Sequence, residues 1–173
     1  MELCLVSRLP DAAWAPDAAL REDWRRLAAA VGRPDWLCEV VWVADARMAE
    51  LNGRYRGRPE VTDVLSFSEL ATDGEGEPDL AAGTAGAAVD LWREGPVDDP
   101  QVGTLVLAPL FIVRRCRENG WDTAAEWRLL VAHGLLHLLG WVHDTPAQRR
   151  LMRTRERELL AVIGCRHPLS TEG

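Results

Sequence analysis

Three of the chain's four histidines fall in one eleven-residue stretch, HGLLHLLGWVH, as His133, His137 and His143. On a helix, His133 and His137 share one face because they stand four residues apart. Gly140 suits the left-handed conformation that ends a helix, and the chain can then turn back to bring His143 towards the other two. Three imidazoles gathered this way hold one divalent ion and leave a fourth tetrahedral position open. That is the plan of a hydrolytic zinc site, which lowers the pKa of water and polarises an oxygen of the substrate. A single histidine on an apolar face is ordinarily a packed core residue; the HxxxHxxGxxH spacing sets this set apart. The same spacing occurs in zinc proteases, where a Glu general base follows the first His. Here that position is Gly134, so peptide hydrolysis by that route lacks its base while the metal ligands remain.

A second cluster is cationic. Arg54, Arg56 and Arg58 alternate in RYRGR, and on a strand or loop they would project to one side. A guanidinium near the site would stabilise the negative charge a phosphodiester gathers as it is attacked. All 20 basic residues are Arg, so every cationic contact is suited to bidentate phosphate or carboxylate binding. Ser66 either lines the cleft or bonds the backbone as a strand hydroxyl. Trp141, beside the third histidine, is a candidate wall for a stacked base. Trp24, Trp42 and Trp127 sit in periodic elements and read as core. Asp144 is the carboxylate nearest in sequence to the ligands, hence a candidate partner for an imidazole N–H. No general base is evident.

These residues resemble a known family, the YbeY endoribonucleases. The family motif HGxLHLxGYDH is similar to HGLLHLLGWVH, and the block LNxxYRGxxxxTDVLSF is similar to LNGRYRGRPEVTDVLSF at Leu51 to Phe67. VGTLVLA stands where the family has LGDIVI. The resemblance covers about residues 37 to 165. It implies a zinc-dependent endoribonuclease specific for single strands, with one Zn2+ per chain on His133, His137 and His143. It also implies Arg56 as a phosphate-binding and catalytic residue, with Arg54 and Arg58 as rim charges. The implied role is processing of small-subunit ribosomal RNA, including its 3′ end, and ribosome quality control. Ribosomes or small-subunit assembly intermediates are the implied partners. Some positions depart: Val142 and Thr104 stand where the family has Asp, Ser68 where Pro is common, and Trp141 where it has Tyr.

The elements that must position these residues can be read from periodicity. Residues 2–7 alternate weakly as a strand. Asp17 to Val31 reads as a helix, with Gly32 and Pro34 as stop signals. Residues 37–43 form a strand, and Asp45 caps a short helix running to about Asn52. Residues 62–68 and 102–108 are strands. Pro109 opens a helix that Gly120 closes. Thr123 and Glu126 predict a capping box for the histidine helix, extending to Leu139. Thr145, Pro146 and Gln148 start a last helix ending at Gly164. The sum is an α+β fold in a single domain, residues 1–173: one small mixed sheet, about five helices, and a zincin-like site on a helix and the turn after it.

Composition bounds the rest. The chain has 173 residues, 47% hydrophobic and 27% charged, the balance of a folded globular protein. Four dispersed cysteines suggest neither a disulfide framework nor a thiolate zinc site. No basic stretch precedes an apolar run near the start, and no apolar run reaches the ~18 residues of a membrane span. A cytoplasmic protein is therefore expected. The net charge of −7 is, taken whole, adverse to an RNA partner. Residues 69–100, however, hold nine acids and one Arg, and the remaining 19 basic and 18 acidic residues leave +1. The segment reads as an acidic loop insertion, and local potential governs phosphate binding. Two rival functions remain: a metal-dependent hydrolase of another substrate class, and a non-catalytic ribosome assembly factor with structural zinc.

Overall fold

A computed structural model describes residues 1–9, 14–31, 37–69 and 101–168. The expected stop signals at Gly32 and Pro34, and nearly all of the acidic segment, lie outside the described residues. The elements in chain order are β1 (Glu2–Ser7), α1 (Ala18–Val31), β2 (Leu37–Trp42), α2 (Asp45–Arg56) and β3 (Val64–Ser68). They continue with β4 (Gln101–Leu107), α3 (Pro109–Asn119), α4 (Thr123–Leu138) and α5 (Pro146–Val162). The strands form one mixed sheet in the order β1-β2-β4-β3, with β3 the antiparallel member. The α+β arrangement predicted from periodicity is the one observed.

Strand alternation divides the core. Val40, Trp42, Leu105, Leu107 and Val64 point to one face and pack with Trp24, Leu27, Leu135 and Leu138 of α1 and α4. Val41, Val43, Val106, Leu65 and Phe67 point to the other and pack with Met48 and Leu51 of α2. The same period aims Ser66 at α4, since it shares the face of Val64. The three tryptophans expected in the core are buried there: Trp24, Trp42 and Trp127. Trp14 stacks on Trp127 with ring centroids 4.3 Å apart.

Helix ends carry three corrections. α2 runs to Arg56 rather than stopping near Asn52, because Gly57 at φ 68° is the residue that ends it. Its N-cap is Ala44, with Asp45 already helical. Arg54 and Arg56 therefore lie on a helix, where a two-residue separation points them apart, and strand-like alternation does not apply. At the start of α4 the cap is Asp122, whose Oδ1 accepts from the Ala124 and Ala125 N–H groups at 2.8 and 3.1 Å. Glu126 is buried and turned inward, so it does not complete a box with Thr123. The Thr145–Gln148 capping box on α5 is present, with Pro146 in the first turn.

Candidate metal centre

α4 carries the first two histidines across its buried face and is closed by a Schellman motif. Gly140, at φ 84°, donates its N–H to the His137 carbonyl at 3.0 Å, and Trp141 N–H bonds the Leu136 carbonyl at 3.1 Å. The reversal returns the chain so that His143 reaches the pair. Ring centroids of His143 lie 5.4 Å from His133 and 4.9 Å from His137. One ligand nitrogen from each residue falls within 4.8 Å of the others. The Nε2 atoms of His133 and His137 are 3.0 Å apart.

The surroundings keep the His137 ring in the form a cation requires. Burial, then the neighbouring His133, His143 and Arg56, push the His137 pKa down to about 3, so its imidazole is neutral at neutral pH. Its ring also hydrogen-bonds the backbone of Trp141. His133 Nδ1 lies 2.7 Å from Glu156 Oε1 on α5. Burial alone would raise the Glu156 pKa, but hydrogen bonds from His133 and His167 more than reverse this and hold the carboxyl below its usual range. An ionised carboxylate only accepts, so His133 donates from Nδ1 and turns its Nε2 lone pair towards the other histidines. A histidine bonded through its far nitrogen to a carboxylate is the regular outer arrangement of a metal ligand. The chemistry of this donor set thus fits a divalent cation.

Glu156 was not found by reading the sequence, although a signal existed. It sits on the apolar stripe of α5 with Met152, Leu159 and Leu160, and a charged residue there needs a partner. Asp144, the carboxylate expected beside the ligands, is exposed, and its backbone carbonyl accepts from Arg149 at 2.8 Å. Arg149 also bonds the carbonyl of His143, tying the ligand turn to α5.

A cavity of about 420 Å³ opens on the histidines, lined by Ser66, by Arg56 at the end of α2 and by Arg58 just beyond it, which stands in the lining beside Arg56 and not only at the rim. Arg54 is not among its lining residues; its guanidinium lies 5.8 Å from the Tyr55 ring. Trp141 lines a different hollow with Leu139 and Gln148, and Arg155 stacks over its ring at 5.2 Å. The indole therefore does not wall this cavity. Asp63, which sequence reading passed over, lines it and is ion-paired with Arg115.

Gly134 has a structural cause. A Cβ there would lie 2.8 Å from Leu105 Cδ2 and 3.4 Å from Ser66 Oγ. The helix carrying His133 and His137 presses against β3 and β4 at this point, so any side chain at position 134 must displace Leu105.

The family model for endoribonuclease YbeY matches residues 22–164. The chain belongs to the endoribonuclease YbeY family. An endoribonuclease YbeY of Pseudomonas putida strain KT2440 is 36% identical over 163 residues, covering 94% of this chain and 88% of the relative. One from Moorella thermoacetica is 38% identical over 124 residues, covering 72% of this chain and 70% of the relative. A solution structure of a Thermotoga maritima protein shares the fold, with TM-score 0.51, 19% identity, and coverage of 92% and 89% of the two chains. Against the YbeY pattern, Ser68 donates its hydroxyl to the Leu138 carbonyl at 2.8 Å, tying β3 to the end of the ligand helix. Thr104 is buried opposite Phe67. Among the described residues no helix is long and apolar enough to cross a membrane.

Proposed function

We propose that this YbeY-family chain is a zinc-dependent endoribonuclease that cleaves single-stranded RNA. We place it in the cytoplasm, acting on ribosomal RNA within small-subunit assembly intermediates, with 16S 3′-end maturation and ribosome quality control as its setting. The observation that carries this reading is the convergence of three imidazoles on a cavity whose other wall holds Arg56 and Arg58.

His133, His137 and His143 would hold one zinc ion. When bound, such an ion supplies Lewis acidity and a lowered pKa for water. The chain's own residues supply the rest. Glu156 orients His133, and burial keeps His137 unprotonated and free to coordinate. Arg56 faces the ligand set closely enough to lower the His137 pKa, so its charge bears on any phosphate in the cavity. A guanidinium there favours the more highly charged transition state over the ground state. Gly134 argues against peptide hydrolysis, and the open cavity at the imidazoles argues against a purely structural ion, whose site would be closed.

The test uses protein loaded with one equivalent of zinc and a single-stranded rRNA fragment. Wild type cleaves it, His137→Ala does not, and Arg56→Ala is slower by about 10²–10³-fold with zinc retained. Equal survival of the RNA with wild type and His137→Ala would overturn the nuclease reading. Full activity of Arg56→Ala would remove its assigned role.

A further inference from the structure

His167, the fourth histidine, lies beyond the residues the family model matches and 24 positions after the last ligand. Its side chain is only 1% exposed, and its Nε2 stands 2.9 Å from Glu156 Oε2. The other oxygen of the same carboxylate takes His133 at 2.7 Å. Each oxygen of Glu156 is thus held by a different imidazole, one from the ligand helix and one from the segment after α5.

That segment is placed by a second Schellman turn. Gly164, at φ 69°, bonds the Ala161 carbonyl at 3.1 Å, and Cys165 N–H bonds the Leu160 carbonyl at 2.9 Å. The chain then folds back along α5 and inserts His167 beside Glu156. A buried carboxylate keeps its orientation only while its oxygens are satisfied. Without the His167 donor, one oxygen is left buried and unpaired, and the carboxylate must turn or admit water to recover a partner. Either response loosens the bond that aims His133.

We propose that His167 is a positioning residue of the metal centre: by donating to Glu156 it fixes the carboxylate that orients His133, so metal affinity depends on the docking of the segment after α5. The proposal rests on the assignment of His133, His137 and His143 as metal ligands. It concerns affinity for the ion, so it can be measured without RNA.

The experiment titrates the full-length protein with Zn2+ against a chromophoric chelator. Glu156→Ala removes the direct partner of His133 and should weaken zinc binding by about 10–100-fold. His167→Gln keeps an N–H donor and should bind within about threefold of wild type, whereas His167→Phe keeps the ring's volume without the donor and should lose about tenfold. Circular dichroism of each metal-free variant reports the fold separately. Should His167→Phe fail to fold, His167→Asn against His167→Leu repeats the comparison of donor with volume. Affinity that follows the donor supports the proposal. Unchanged affinity in both variants, or a loss that follows volume, overturns it. Failure of wild type to bind zinc stoichiometrically overturns the metal reading itself, so the two failures are distinguishable.

Discussion

Gly140 offers the sharpest test of how local backbone chemistry builds the metal centre. It occupies the left-handed position of the turn that carries the chain from His137 to His143, at φ 84°. A Cβ added there would meet nothing within 4 Å. Gly140→Ala therefore changes backbone strain alone, which costs roughly 1–2 kcal/mol for a residue with a Cβ. For a chain of this length that lowers Tm by about 2–8 °C. If the metal-free variant relieves the strain by opening the turn, metal binding must close it again, weakening zinc affinity by as much as about 5–30-fold. Asn tolerates the left-handed region, so Gly140→Asn should fall between wild type and Ala. Gly120 is the control: it ends α3 at φ 68°, also with open space around it, and does not line the cavity at the histidines. Gly120→Ala should lose similar stability with zinc affinity unchanged. Urea unfolding of the metal-free proteins and chelator competition measure the two quantities. A Gly140→Ala protein as stable as wild type, or a Gly120→Ala protein that loses zinc affinity equally, would refute the reasoning.

Gly134→Ala gains about 1 kcal/mol of helix propensity but overpacks Leu105 at a cost of about 1–3 kcal/mol, so it should be neutral to destabilising alone. In a Leu105→Ala background the same change should become stabilising, and additive effects in the urea double-mutant cycle would contradict the close approach. Burial raises the pKa of Glu126, with Arg115 partly offsetting it. The folded state then binds the proton more readily than the unfolded state, and stability is lost as pH rises through the carboxylate range. Glu126→Gln should accordingly unfold at a higher temperature than wild type near about pH 7.5, the gap closing towards about pH 4; no gain at the higher pH would count against it. His137 works in the opposite sense. The unfolded chain protonates it near 6.5 and the folded chain only at about 3, so metal-free protein loses stability as pH falls through that interval. A His137→Gln variant with an equally steep pH dependence of its urea midpoint would refute this.

The histidine triple was legible because everything that assembles it is local. Four residues of helix put His133 and His137 on one face, and one glycine reverses the chain. The elements likewise followed from short periods, and the errors fell at their ends. α4 is capped by Asp122 rather than a Thr123–Glu126 box because burial of Glu126 outweighed the local pattern. α2 absorbed Arg54 and Arg56 because the next left-handed residue is Gly57. That shift matters for function, since the helix sends Arg56 towards the cavity and leaves Arg54 beside Tyr55.

By itself, then, the sequence determined the three imidazoles, the helix and turn that present them, and the family to which these belong. Those depend on contacts within about one turn of chain. Tertiary structure alone decided which carboxylate serves the site. Glu156 lies 23 residues from His133 and His167 a further 11, and no short-range period connects them. It likewise decided that Gly134 is a packing glycine, since only the approach of β4 closes the space a side chain would need. Trp141 shows the same limit: it stands between His137 and His143 in sequence, yet its ring faces another hollow. Local backbone geometry sets what a segment can present, and the packing of distant segments sets what that surface meets.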